Sequence, residues 1–414
     1  MLALMTETTA PHPTLPPIEL VRSQFPGLRD DEAALDGAAG TKAPQAVIDA
    51  VSEALVSAMA NTHGVFASSR RTDQVVTAAR QALADLLGGD PSGVILGPNM
   101  TTLTFHIADT LARDWGPGDE IVLSSLDHDA NVRQWVLAAE RAGASVRFAE
   151  VDPQTGELPT EAIGAVLSER TRLVAVTAAS NLIGTKPDIP AITALAHRAG
   201  ALTYIDGVHA TAHGPVDVAA LGADFYACSS YKFCGPHTGC VIAAPELLER
   251  LSPAKLLPSP TEVPDRFERG TPAFELLAGV SAAVDWLAGL AERTGGAGTR
   301  RERLHESFQA IEAHTQSLLA RLLDGLGAIE KVELIGSPRR RASTVAFTVR
   351  GHDPQRVAEH LAARGVSVWH GDNYAVELVR RLGRERTGGV VRASIVLYNT
   401  GAEIDRLLEA VAEL

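Results

Sequence analysis

The strongest constraint on this chain is an alternation. Short apolar runs recur from Gly93 to Ala243, and helical stretches separate most of them. Gly93–Gly97, Glu120–Leu123, Ser145–Phe148 and Leu173–Thr177 read as strands. So does Leu202–Ile205, which ends on Asp206. Thr102–Trp115, Asn131–Ala142 and Ile189–Ala199 read as helices between them. Such a succession predicts a mostly parallel α/β sheet. Phe225–Ala227 and Cys240–Ala243 then flank a polar turn.

The pattern changes twice further on. From Thr271 to about Leu326 it is long and helical. After Ile329, strands are expected at Val332–Ile335, Thr344–Val349, Val366–Trp369 and Val390–Leu397. Helices are expected at Pro354–Arg364 and Ala402–Leu414. This predicts a smaller α+β domain behind a long helix. The Thr- and Pro-rich start reads as a loose arm over 1–17.

Composition narrows the function classes. The 414 residues carry 50 acidic against 37 basic side chains, a net charge of −13. That balance argues against nonspecific binding to nucleic acid or anionic membranes. No apolar run approaches the ~20 residues of a membrane span, and Met1–Met5 is too short for a signal core. The three cysteines, Cys228, Cys234 and Cys240, follow one another at six-residue intervals. They make no disulfide framework and match no zinc spacing, so no metal is expected. Their number fits a reduced, cytoplasmic setting.

Two short segments carry chemistry. In Ile205-Asp206-Gly207-Val208-His209 an apolar strand ends on an acid, where open α/β sheets bind ligands; an Asp there also caps helices. In Ser229-Ser230-Tyr231-Lys232-Phe233-Cys234-Gly235-Pro236 a lysine sits in a turn between apolar runs. It is either an ordinary surface lysine or, if enclosed, an amine able to form a Schiff base with a carbonyl. Together the two segments suit pyridoxal phosphate (PLP). That cofactor needs a lysine for its aldehyde and an acid for its ring nitrogen. Its phosphate needs a cup, which Asn99-Met100-Thr101-Thr102 offers between a strand and a helix.

With these motifs the chain resembles the class V aminotransferase group of fold-type I PLP enzymes, nearest its cysteine desulfurase and selenocysteine lyase-like branch. The resemblance rests on Leu35-Asp36-Gly37-Ala38-Ala39-Gly40, Leu126 to Asn131, Ser180 to Gly184, Asp206 to His209, Tyr231-Lys232, Phe267 to Pro272, and Arg392 to Thr400. It implies a large domain over 18–285 with a mostly parallel, mixed seven-stranded sheet. A small α+β domain over 286–414 follows, to which the N-terminal segment also contributes.

The resemblance also implies roles. Lys232 would hold PLP and later move protons. Asp206 would pair with the ring nitrogen, and His128 would stack on the ring. Asn181 and His209 would lie near the ring hydroxyl. Met100, Thr101, Thr102, Ser229 and Tyr231 would hold the phosphate. Thr271 would reach the phosphate of a second subunit, which makes the expected assembly a homodimer with shared sites. Arg392 would clamp the carboxylate of an amino-acid substrate, with Ala39, His63 and Tyr374 nearby. Trp369 and His370 are further candidates for that side, and Arg70 and Arg71 for a second carboxylate.

One departure bears on the reaction. Desulfurases of this branch carry a mobile cysteine in the small domain, which takes sulfur as a persulfide. Here Tyr374 stands about where that cysteine would be, and no cysteine follows Cys240. The expected reaction is therefore β-elimination with C–S cleavage of cysteine or an S-substituted cysteine, without a persulfide. Of the existing thiols, Cys234 is the one expected nearest the pocket. Transamination, epimerisation and a decarboxylating or deaminating course on another L-amino acid share the same first steps. A PLP-fold binding protein without catalysis is the alternative of another class, and the intact Lys232 and Asp206 argue against it.

Overall fold

The computed structural model describes residues 13–414; most of the arm expected at 1–17 lies outside the described residues. Seven strands form the large sheet: β1 (Val94–Gly97), β2 (Glu120–Ser124), β3 (Ser145–Ala149), β4 (Thr171–Thr177), β5 (Leu202–Asp206), β6 (Phe225–Ser229) and β7 (Gly239–Ala243). Their order is β1-β7-β6-β5-β4-β2-β3. All neighbours run parallel except β7, which is antiparallel to both β1 and β6. Helices cover both faces and two apolar clusters fill them, which is why central strands such as β2, β6 and β7 are buried at every residue. The edge strand β3 is open at alternate residues, and its Ser145 and Arg147 suit that place.

Register brings the chemistry to one edge. Thr177 pairs with Asp206, and Asp206 with Ala227, so the carboxyl ends of β4, β5 and β6 are level. Because β7 runs backwards, its first residue, Gly239, lies between Gly97 and Ser229. The turn joining β6 to β7 therefore projects at the same edge, and it carries Lys232.

A second sheet holds β8 (Val332–Ile335), β9 (Thr344–Val349), β10 (Trp369–Gly371) and β11 (Val390–Ser394) in the antiparallel order β10-β11-β9-β8. The strand expected over Val366–Trp369 is two pieces. Val366–Ser367 pairs in parallel with Ala33–Ala34, and only Trp369 joins the small sheet. Asp36 then bridges Ser394, so the early segment lies against the late sheet. The strand expected to reach Leu397 stops at Ser394. A turn follows, closed by the Val396 N–H on Asn399 Oδ1 at 2.7 Å. Position 285 falls inside the helix Phe274–Glu292. That helix is long and apolar enough to cross a membrane, a length the sequence reading did not credit, yet most of its residues are buried inside the protein.

Candidate active site

A cavity of about 340 Å³ opens at the carboxyl edge of the large sheet. Lys232 enters it from the β6–β7 turn, a short 3-10 turn over Ser230–Lys232. The turn is fixed from both sides: Phe233 and Gly235 donate to the Ser230 carbonyl at 2.9 Å. Thr41 donates through both its N–H and its hydroxyl to the Tyr231 carbonyl, each at 2.9 Å. The Lys232 amine contacts the Ala38 carbonyl and lies 4.7 Å from the Tyr231 ring centre.

Burial governs the electrostatics. Lys232 is pulled down to about 7 by burial first and by the Arg392 cation second, which leaves an amine that is half neutral near physiological pH. Asp206 is pushed up to about 6 by burial, against the Val208 N–H that its Oδ1 accepts at 2.9 Å. A carboxyl group poised there can share a proton with a ring nitrogen. His128 falls to about 4 through burial and the nearby Lys232 and Arg392 charges, so its imidazole is neutral and suited to stacking. The Tyr231 phenol is raised by burial and by Asp206, and stays a hydrogen-bond donor.

The cup forms where β1 meets the helix Met100–Leu111. Asn99 caps that helix, its Oδ1 accepting the Thr102 N–H at 2.8 Å. The Met100 N–H donates to Ser229 Oγ at 3.1 Å. Gly239 lets the strand approach: a Cβ there would sit 2.3 Å from the Asn99 carbonyl carbon. Met100, Thr101, Ser229 and Tyr231 all line the cavity beside this helix start, where backbone N–H groups and the helix dipole favour an anion.

The opposite wall comes from the small sheet. Arg392 is 4% exposed and donates from Nη1 to the Asn181 carbonyl at 3.0 Å, while its Nε is buried without a partner among the described residues. Asn181 Nδ2 donates to the Asn373 carbonyl at 2.9 Å, and its Oδ1 is likewise orphaned. His209 hydrogen-bonds Thr344 of β9 at 2.9 Å, joining the two sheets. The Tyr374 ring stacks on His128 at 5.4 Å and 18°.

Of the expected residues, Ala39, Trp369 and His370 also line the cavity. Six others do not. Thr102 faces a second cavity, and its N–H is spent on the cap. Thr271 lies at that second cavity too. His63 is exposed on a loop, 3.8 Å from Asp73. Arg70 and Arg71 instead contact the Val65 and Ser57 carbonyls. Cys234 misses the cavity as well: it is fully buried, which lifts its thiol to about 12. Thr177, Ala179, Asp372 and Asn373 line the site without having been singled out. For Thr177 the signal was present, since it ends an apolar strand as Asp206 does.

An enclosed lysine, an acid at a strand end, a phosphate cup at a helix start and orphaned polar groups at Asn181 and Arg392 fit PLP and an amino acid. The fold and site define a fold-type I PLP-dependent enzyme. The comparisons narrow this. The model of the family "Aminotransferase class-V" matches residues 33–407, and the chain belongs to that family. An uncharacterized protein of Mycobacterium tuberculosis is 36% identical over 395 residues, covering 95% of this chain and 98% of that protein. A cysteine desulfurase of Klebsiella pneumoniae is 31% identical, covering 96% of this chain and 98% of its own. The crystal structure of the Escherichia coli cysteine desulfurase CsdA superposes with a TM-score of 0.84 at 28% identity, over 97% of this chain and 98% of that one. The protein is thus a PLP-dependent, cysteine desulfurase-like enzyme.

Proposed function

We propose that this enzyme cleaves the C–S bond of cysteine or an S-substituted L-cysteine by β-elimination, without a persulfide intermediate. One observation carries the reading. Lys232, Asp206 and Arg392 share one cavity, and the residue of the facing loop is Tyr374, whereas all three thiols are buried elsewhere in the large-sheet core. A thiol leaving group needs no protein sulfur to accept it.

PLP, when bound, supplies the electron sink that makes the α-proton of an amino acid removable. The chain's own residues do the rest. Arg392 holds the α-carboxylate by a charge-assisted pair. Lys232 takes the α-proton, as its lowered pKa allows. Asp206 keeps a proton at the ring nitrogen, and His128 covers a ring face. The net reaction takes RS–CH₂–CH(NH₃⁺)–COO⁻ and water to RSH, pyruvate and ammonium. Thr271 lies outside this chain's own cavity, which suits a role at the phosphate of a second copy in a homodimer.

A panel of L-amino acids and S-alkylcysteines, read by mass spectrometry, tests the reading. Pyruvate with stoichiometric free thiol is the expected result. A new amino acid formed from a keto-acid acceptor, with no thiol, overturns it in favour of transamination; inversion seen only by chiral separation overturns it in favour of epimerisation.

A further inference from the structure

Two large aromatic side chains stand at the mouth of the cavity, and both are open to solvent: Trp369 at 50% and Tyr374 at 70% exposure. Trp369 lies directly opposite Arg392 in the β10–β11 register. Residues opposed in this way share one face of a sheet, so the indole stands beside the guanidinium. A carboxylate held by Arg392 brings the rest of the amino acid within reach of it.

Tyr374 is not a loose side chain. Its N–H donates to Asp372 Oδ1 at 2.9 Å, and its carbonyl accepts the Asp129 N–H at 2.7 Å. Asn373 and Tyr374 both have left-handed backbones, with φ of 52° and 60°. Bulky residues rarely occupy that region. The loop thus holds an aromatic ring flat against His128, although most of that residue faces water. Beyond that one stack the Tyr374 ring is open to solvent, as is the Trp369 indole that lines the same cavity.

We propose that Trp369 and Tyr374 are the walls of an aromatic subsite, which selects cysteine conjugates bearing a planar aromatic group on sulfur. This rests on the C–S lyase reading and names its substrate class: S-aryl and S-arylmethyl L-cysteines. Ring-to-ring contacts favour flat partners over saturated groups of equal bulk.

The test compares S-benzyl-, S-cyclohexylmethyl- and S-methyl-L-cysteine as substrates of the holoenzyme, with pyruvate measured. S-benzyl is expected to exceed S-cyclohexylmethyl by roughly tenfold in kcat/KM, equivalent to about 1.4 kcal/mol. Tyr374→Leu and Trp369→Leu should each bring the ratio toward one, and Tyr374→Phe should keep it. Turnover of all three with no preference overturns the subsite and leaves the lyase reading intact. No pyruvate from any of them overturns the lyase reading. The subsite is then decided by equilibrium binding of the S-benzyl and S-cyclohexylmethyl compounds to PLP-loaded Lys232→Ala protein. Tighter S-benzyl binding supports it, and equal binding overturns it.

Discussion

Arg392→Gln gives a sharp test of the substrate-binding wall, because two opposite effects are expected of one substitution. The guanidinium is buried, its Nε has no partner, and burial pulls its pKa down to about 10. Among the described residues, Asp36 is the only opposing charge that acts on it appreciably. In the free protein the cation is therefore held at a cost that a substrate carboxylate offsets. Charge-assisted hydrogen bonds contribute about 1.5–3 kcal/mol each. Replacing the two-pronged donor by one amide should cost about 2–4 kcal/mol, a roughly 30- to 700-fold loss in kcat/KM. The loss should fall mainly on KM, since the carboxylate is bound equally before and during reaction. Thermal unfolding of the cofactor-free protein should move the other way or barely at all, because a buried and incompletely paired charge has been removed. Steady-state kinetics and a melting curve decide it. An unchanged KM would refute the carboxylate role. A melting point lower by more than about 2 °C, on the order of 2 kcal/mol for a chain of this size, would show Arg392 to be a structural residue instead.

The remaining predictions concern the cofactor side. Burial pulls the Lys232 amine of the cofactor-free protein down to about 7, and only its neutral form attacks an aldehyde. The rate at which PLP restores the visible absorbance band should thus climb across about one pH unit either side of 7 and then level off; a rate still rising toward the ordinary lysine pKa would show that burial does not act on this amine. Lys232→Ala should abolish that covalent band. Cys234→Ser should leave turnover within about twofold, since a thiol lifted to about 12 is not a nucleophile; complete loss of activity would revive thiol chemistry. Gly239→Ala would set a methyl against the Asn99 and Met100 backbone. Displacing the cup in this way should weaken PLP binding on the order of ten- to a hundredfold, as read by equilibrium titration; unchanged binding would place the phosphate elsewhere.

Most strands of the large sheet were legible because they are buried on both faces and so read as nearly unbroken apolar runs, the edge strand β3 excepted. Asp206 and Lys232 were legible because both stand where such a run stops. Strand order was not legible. Nothing local to Gly239–Ala243 says that it inserts between β1 and β6, because that pairing depends on Gly239 passing the Asn99 backbone. The split of Val366–Trp369 was hidden for the same reason, since its first half is claimed by a partner far away in the chain. His63 was misplaced because sequence near a site says little about a loop whose backbone turns left-handed, with φ of 66°. Asp372 and Asn373 reach the cavity on a loop tied to Asn181 through the Asn373 carbonyl and to Asp129 through the Tyr374 carbonyl. Tyr374 and Arg392 were reached through resemblance, not through any local pattern.

The short pairing of Ala33–Ala34 with Val366–Ser367 has a consequence for biosynthesis. The segment just after it supplies Ala38, the carbonyl partner of Lys232, and Ala39. Leu35 is held by Ser367 and Ser394 through backbone bonds of 3.1 and 2.8 Å. A ribosome that has made the whole seven-stranded sheet has still not made the strands that seat this segment. A nascent chain arrested before Val366 should therefore have the lysine and its acid in place, with one wall of the pocket missing. Cofactor capture during translation would be expected only once β11 has emerged.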